Sequence, residues 1–208
     1  MNKITIISGK GGVGKTSIAA SLALIAAKEK SIVVADADVD TPNLAILLGI
    51  RRLKPVCFSR QEKAQVNKKA SKCKELDKYC SFNAIQWSEK DRNWKINKWL
   101  CEGCQTCKLK CPEGIEVKQR VNAIVSIAKT KYGFWFVQGQ VKPGFSGSGR
   151  VVDLVKQEAF KIATRIKASY VFLDGAAGIG CPVIASLRDS DLAILVSEPS
   201  PAAFHDLN

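Results

Sequence analysis

Long apolar runs are absent from this 208-residue sequence, and so is the pattern of a secretory leader. No stretch approaches the roughly 18 consecutive apolar residues that a membrane-spanning helix needs. Residues 1–8 lack both the longer apolar core and the small-residue cleavage site of a signal peptide. We therefore expect a cytoplasmic protein without a transmembrane segment.

Histidine and acidic residues are also scarce. The one histidine, His205, gives no basis for a catalytic role, and 19 acidic residues face 32 basic ones, for a net charge of +13. Residues 51–120 alone contain 18 Lys or Arg against 8 Asp or Glu. This segment is either a docking face for an acidic protein or another polyanion, or a solvated lysine-rich surface.

Eight cysteines are present, and seven of them lie between Cys57 and Cys111, while Cys181 stands apart. In a cytoplasmic chain such a cluster favours metal or redox chemistry over a framework of disulfides. The hydrophobic fraction of 46% with 25% charged residues is ordinary for a folded globular domain and argues against disorder.

A nucleotide site is predicted near the N-terminus. Residues 4–8 form a β-branched apolar strand, residues 9–16 match the phosphate-binding pattern G-x-x-x-x-G-K-[ST], and residues 17–28 read as a helix. The glycines let backbone N–H groups approach a phosphate, and the start of the helix favours the same anion. Lys15 should reach the β- and γ-phosphates of ATP, and Thr16 should bind Mg²⁺. The predicted nucleotide-binding residues are Gly11, Gly12, Val13, Gly14, Lys15, Thr16 and Ser17.

Carboxylates follow two further apolar strands. Asp36, Asp38 and Asp40 come after the strand at 32–35, and Asp174 follows the strand at 170–173. Open α/β sheets place ligands at the carboxyl ends of their strands, where gathered negative charges favour a magnesium ion. We predict Mg²⁺ coordination by Thr16 together with these aspartates: Asp36, Asp38 and Asp174.

Residues 101–112 carry the spacing C-x₂-C-x₂-C-x₃-C-P of bacterial ferredoxins. An upstream copy ends at Cys80, and the fourth cysteine of each copy serves the cluster of the other copy. One [4Fe–4S] cluster is therefore predicted on four cysteines: Cys80, Cys101, Cys104 and Cys107. Zinc is the less favoured alternative, because it prefers two separated C-x₂-C pairs.

A second cluster would need Ala70 and Leu76 as ligands beside Cys73 and Cys111, and neither side chain can bind iron. We therefore expect one cluster, with Cys73 and Cys111 left close together across the lost site. Single-cluster ferredoxins resemble this arrangement, and the resemblance implies either a disulfide or, in a reducing compartment, two thiols.

Residues 10–16 resemble the deviant Walker A motif of the MinD/ParA/Mrp/nitrogenase-iron-protein class of P-loop ATPases. The resemblance implies that Lys10 reaches the nucleotide of the opposite subunit in an ATP-sandwiched homodimer. It also implies that Asp38 orients the attacking water. Residues 174–182 are similar to the D-G-x-P-G-I-G-C-P stretch of the ferredoxin-bearing branch, with Ala177 in place of proline. A subunit-bridging cluster at Cys181 is a minor alternative to a packed small residue.

The predicted fold is α/β, with a doubly wound, mostly parallel sheet of the P-loop type and an inserted ferredoxin-like α+β module. The ATPase domain should comprise 1–53 and 143–208, and the insert 54–142, with hairpins at 84–97 and 123–141. Four tryptophans are expected in the small core of the insert: Trp87, Trp94, Trp99 and Trp135. The resemblance also implies further strands and helices beyond Asn208, which complete the base pocket.

The leading functional hypothesis is an ATPase whose dimer switch is coupled to electron transfer or cluster handling, with an acidic redox or iron–sulfur partner on the basic insert. One alternative is a positioning or partition switch in which the insert is structural or a docking module. Another is an ATP-dependent amidoligase, for which no substrate-activating site is found. Nucleic-acid binding by base stacking on the tryptophans is the least favoured hypothesis.

Overall fold

The structure is a computed structural model that describes residues 1–145 and 147–200, so His205 lies outside the described residues. The chain divides into two compact units. The larger unit contains Met1–Ser59, Ala123–Val141 and the described residues from 147 onward, and the smaller unit contains Arg60–Asn122 and Lys142–Phe145.

Strands and helices alternate along much of the chain. The strands are β1 Asn2–Ser8, β2 Ile32–Asp36, β3 Lys54–Val66, β4 Ile85–Ser88, β5 Asn93–Ile96, β6 Ile115–Lys129, β7 Trp135–Val141, β8 Tyr170–Ala177 and β9 Leu192–Leu195. The helices are α1 Lys15–Ala26, α2 Leu44–Leu47, α3 Thr106–Lys110, α4 Gly149–Arg165 and α5 Cys181–Leu187. Short 3₁₀ turns occupy Lys68–Lys72 and Leu76–Tyr79.

Seven strands form one sheet in the order β3-β6-β7-β2-β8-β1-β9. The four neighbouring pairs from β7 to β9 are parallel, and β6 pairs with β7 in the antiparallel sense. Parallel neighbours require crossover connections, which α1, α4 and α5 provide. The predicted α/β class with a mostly parallel sheet is therefore confirmed.

The central strand β2 is buried along its whole length. Its successive side chains point to opposite faces of the sheet, so that Val33 and Ala35 join one core while Ile32 and Val34 join the other. The first core includes apolar residues of α4, and the second includes alanines of α1. Helices therefore cover both faces, which is the doubly wound arrangement, and the carboxyl ends of β1, β2 and β8 meet at one edge.

The smaller unit contains the antiparallel hairpin β4–β5, in which Trp87 is paired with Trp94. The two indole rings meet edge to face at 5.4 Å between centroids. Trp94 is buried in a compact apolar cluster with Leu76 and Ile115.

The second predicted hairpin, at 123–141, lies in the larger unit rather than in a small insert. Residues of β6 and β7 pair there as expected, but β7 also pairs with β2, Val33 opposite Trp135. The apolar run of β7 is buried because it is an interior strand of the main sheet. Trp135 is thus not part of the smaller unit's core, and Trp99 is 55% exposed.

The predicted domain limits, with the insert at 54–142, stay a prediction. Within 1–145 and 147–200, no helix combines the length and the apolarity that crossing a membrane would require.

Candidate functional site

The loop after β1 forms a cradle with its backbone. Gly12 and Gly14 have φ of +88° and +93°, values that residues with a Cβ rarely adopt, so the loop needs glycine at both positions. Helix α1 begins directly after Gly14 and has no side-chain cap on its first N–H groups. Uncapped N–H groups and the positive end of the helix dipole favour a bound anion.

A cavity of about 490 Å³ opens above this loop. Its lining includes seven of the residues predicted from sequence: Gly11, Gly12, Gly14, Lys15, Thr16, Ser17 and Asp38. Val13 instead packs against the apolar core under α1. The cavity is also lined by four residues that the sequence analysis did not single out: Thr41, Asn43, Ile46 and Leu47.

Lys15 and Asp174 form a buried ion pair, with 2.5 Å between Nζ and Oδ1 and side chains 7% and 1% exposed. Burial raises the pKa of the Asp174 carboxyl, and the Lys15 ammonium opposes that rise. The second oxygen, Oδ2, is buried without a hydrogen-bond partner among the described residues. An orphaned carboxylate oxygen beside the Thr16 end of the loop fits the donor set that Mg²⁺ prefers.

Asp36 is fully buried, and both of its oxygens accept backbone hydrogen bonds. The N–H of Asp38 donates to Oδ1 at 3.1 Å, and that of Leu44 donates to Oδ2 at 3.0 Å. Burial, followed by the charge of Asp174, raises the pKa of Asp36 to about 8. Asp36 thus fixes the loop that carries Asp38, and it does not line the cavity. Its predicted role as a magnesium ligand stays a prediction.

Asp38 does line the cavity. Its Oδ1 accepts hydrogen bonds from the Thr41 backbone at 3.3 Å and from the Thr41 hydroxyl at 3.1 Å. Aspartate side chains often accept hydrogen bonds from the backbone a few residues away, and this tendency of Asp38 is the local signal for its contact with Thr41. Asp40 does not line the cavity. Its Oδ1 instead accepts a hydrogen bond from the Gly147 N–H at 2.8 Å.

Lys10, the residue expected to act across a dimer, does not line the cavity. Its Nζ lies 3.0 Å from Oε1 of Glu198, and the two side chains are 49% and 41% exposed. The hydrogen bond from Lys10 lowers the pKa of Glu198. Exposed ion pairs of this kind contribute little to stability, so Lys10 can leave Glu198 at little cost.

In the smaller unit, one cavity is lined by all four cysteines that were predicted to hold a cluster: Cys80, Cys101, Cys104 and Cys107. Burial raises the pKa of the Cys107 thiol, and the neighbouring Cys101 adds to the rise. Hydrogen bonding from Thr106 lowers the pKa of Cys104. Among the described residues, no group of three or more His, Cys, Asp or Glu side chains is placed to hold a single metal ion.

Cys73 and Cys111 are joined in a disulfide, with 6.0 Å between their Cα atoms. The predicted proximity of these two cysteines is therefore present in the structure. Ala70 and Leu76 are buried beside them in the apolar cluster. A Cβ added at Gly114 would overlap Cys111 Sγ and the Ala70 backbone, so protein atoms pack closely around this disulfide. Cys181 is a free, exposed thiol at the start of α5.

The site combines a Walker-type loop, the buried Lys15–Asp174 pair and Asp38, which follows β2. All three lie at the carboxyl edge of a doubly wound sheet, and this combination defines a P-loop nucleotide-binding domain. The sequence profile described as the CobQ/CobB/MinD/ParA nucleotide binding domain (CbiA) matches residues 4–191. The chain therefore belongs to the CobQ/CobB/MinD/ParA family.

An uncharacterised protein of Methanocaldococcus jannaschii is 38% identical over 98% of this chain and 70% of its own length. The septum site-determining protein MinD of Synechocystis is 33% identical over 60% of this chain and 50% of its own length.

Among solved structures, the septum site-determining protein MinD of Pyrococcus horikoshii, complexed with Mg-ADP, superimposes with a TM-score of 0.51 at 16% identity. That alignment covers 99% of this chain and 61% of the MinD chain. The protein thus spans about three fifths of the length of that relative, and at this identity the likeness shows the fold alone.

Proposed function

We propose that the larger unit is a magnesium-dependent ATPase of the MinD/ParA type, which dimerises when ATP is bound and separates after hydrolysis. The buried Lys15–Asp174 pair beneath the phosphate-binding loop is the observation that carries this proposal. A buried lysine next to uncapped backbone N–H groups is suited to bind a phosphate.

Each residue then has a defined task. Binding of a triphosphate offers Lys15 a stronger anionic partner, so that its ammonium turns from Asp174 to the phosphates. Asp174 and Thr16 would then hold magnesium. When bound, Mg²⁺ neutralises charge on the phosphate oxygens. Asp38, which is held by Thr41 at the cavity wall, orients the attacking water.

Substitution of Lys15 by Gln tests this proposal. ATP hydrolysis should fall by about a hundredfold or more, because the loop loses its cation for the phosphates. The matched control is Lys28→Gln, which removes an exposed charge just after the same helix and should leave the rate unchanged. Equal rates for the wild type and Lys15→Gln would overturn the proposal.

A second proposal concerns the smaller unit: it holds one [4Fe–4S] cluster on Cys80, Cys101, Cys104 and Cys107. The shared cavity supports it, because these four thiols, from separate parts of the chain, line the same space. The lack of a single-ion site among the described residues does not oppose it, because ligands of a cubane stand farther apart than ligands of one ion. Such a cluster supplies one-electron transfer or structural support.

Iron content decides this second proposal. After anaerobic reconstitution we expect about four iron atoms per chain and a broad charge-transfer absorption. Cys101→Ser should lose both signals, whereas Cys181→Ser, which alters an exposed cysteine outside the set, should keep them. About eight iron atoms per chain, or an unchanged count in Cys101→Ser, would contradict the assignment.

The two proposals combine in one of two ways. Either the nucleotide switch gates electron delivery or cluster handling to an acidic partner, or the smaller unit is a docking module for a positioning switch. Family membership and the relatives favour the second combination. Measuring the reduction potential of the reconstituted protein with and without ATP separates them, since only gating predicts a shift.

A further inference from the structure

Two adjoining cavities in the smaller unit share a set of three basic residues. Lys63, Lys98 and Arg120 line both of them. The first cavity measures about 380 Å³ and is also lined by Gln65 and Lys95. The second measures about 150 Å³, and its other lining residues are Trp99, Pro143, Gly144 and Phe145. None of the described acidic side chains lines either cavity, and we call this pair of cavities the cationic groove.

Lys63 is the most informative member of the cationic groove, because it is only 2% exposed. Its Nζ donates to the carbonyl oxygen of Cys101 and lies 4.6 Å from the centroid of the Phe145 ring. Neither partner carries negative charge, and no carboxylate pairs with Lys63 within residues 1–145 and 147–200. A buried ammonium needs a counter-charge, and it has three N–H donors to satisfy. An anion in the groove would supply the counter-charge and accept these hydrogen bonds.

Two further basic side chains of the groove, Lys98 and Arg120, are also available to bind an anion. Lys98 lies over the Trp99 ring at 5.5 Å and has no carboxylate partner among the described residues. Arg120 also has no carboxylate partner among the described residues. Its planar guanidinium can bind a phosphate through two parallel hydrogen bonds. Lys95 pairs with Asp91 at 2.5 Å, but both side chains are exposed, so that this pair is weak.

One wall of the groove is fixed in place. A Cβ added to Gly144 would overlap the Trp99 ring, so the indole packs directly on the glycine backbone. Gly144 has φ of +84°, which restricts substitution further. Part of the groove wall is therefore preformed, which lowers the ordering cost of binding.

We propose that the cationic groove is a binding site for a small, multiply charged anion that carries phosphate groups. Four basic residues without an acidic neighbour in the lining match a ligand with three or four negative charges. A space of about 380 Å³ is suited to a small molecule rather than to a folded partner. This site is separate from the phosphate-binding loop, and it depends on neither the ATPase nor the cluster proposal.

Pyrophosphate is a suitable probe, with Lys15→Gln as the background so that the phosphate-binding loop does not compete. At constant ionic strength we expect saturable 1:1 binding by calorimetry and a change in tryptophan fluorescence that Trp99→Phe removes. Lys98→Gln and Arg120→Gln should each weaken binding by about tenfold, and the double variant by more. Both residues are exposed at the groove, so the fold should tolerate these changes.

The controls are Lys72→Gln and Lys74→Gln, which remove exposed charges of the same unit outside the groove lining and should change the Kd less than about twofold. Equal losses in these controls would reveal a general charge effect and overturn the proposal. Binding of an oligoglutamate peptide without any binding of pyrophosphate would also overturn it, in favour of a face that docks proteins.

Discussion

Asp36 is the residue on which burial acts most strongly in the nucleotide-binding unit. Its folded-state pKa of about 8 lies above the ordinary value of 3.8, so the folded, metal-free protein binds an extra proton between these limits. Stability from this group is complete below about pH 4 and is lost as the pH rises through about 8.

We therefore predict that the urea midpoint of the metal-free protein falls between pH 5 and pH 8, and that Asp36→Asn removes most of this slope. The amide keeps one acceptor for the loop backbone but cannot ionise. The control Asp77→Asn alters an exposed carboxylate of the smaller unit and should keep the slope of the wild type. An identical slope in Asp36→Asn would show that other groups carry the pH dependence.

The residues of the candidate site were predictable to different degrees. Lys15 and Asp174 follow from motif and strand position, because a P-loop and the end of a parallel strand meet at one sheet edge. Lys63 was not predictable, since lysine is rarely buried and its position depends on the Phe145 ring, about 80 residues away in the sequence. Contacts of that kind exist only once the fold has formed.

At the scale of single elements, β7 shows how a local pattern can mislead. Asn-Ala-Ile occurs at 83–85 and at 122–124, at the start of each of the two predicted hairpins. The local pairing of each hairpin was predictable from sequence. That β7 also pairs with β2 was not, because a short apolar run such as 135–137 fits an insert core and an interior strand equally well.

The interior position of β7 makes Gly139 sensitive to substitution. An added Cβ would lie 2.5 Å from Val155 Cγ2 and 2.7 Å from Val39 Cγ1, in a closely packed core. We predict that Gly139→Ala destabilises the protein by about 1–3 kcal/mol, through overpacking. Gly180→Ala is the control, since its Cβ would meet only Pro182 Cδ at 3.6 Å. Equal thermal midpoints for the two variants would contradict this packing.

The Cys73–Cys111 disulfide closes a loop between residues 38 positions apart. In the chain-entropy description, a loop of this length stabilises the folded state by about 4 kcal/mol. We predict that the double variant Cys73→Ala/Cys111→Ala unfolds at lower denaturant concentration, as reported by tryptophan fluorescence. Trp94 is a suitable reporter because its Nε1 donates to the Cys73 carbonyl at 2.8 Å. Cys181→Ala, an exposed free thiol, should match the wild type.

At the scale of the whole molecule, the contacts of Lys10 bear on the proposed dimer. Lys10 forms an exposed ion pair with Glu198 of its own chain. Such an exposed pair is weak, so a nucleotide phosphate on a second copy would be the stronger partner. Release of Lys10 from Glu198 would therefore oppose the proposed ATP-driven dimer only weakly.

The corresponding prediction uses two variants. Asp38→Asn should bind ATP, hydrolyse it slowly and accumulate as a dimer in light scattering, because the bound nucleotide persists. Lys10→Ala should bind ADP as the wild type does but stay monomeric with ATP, since its loss removes a contact made only across the dimer. The control is Lys30→Ala, an exposed lysine beyond the end of α1. If Lys10→Ala dimerised with ATP as readily as this control, the lysine would serve its own subunit alone, and the proposed exchange of partners would be wrong.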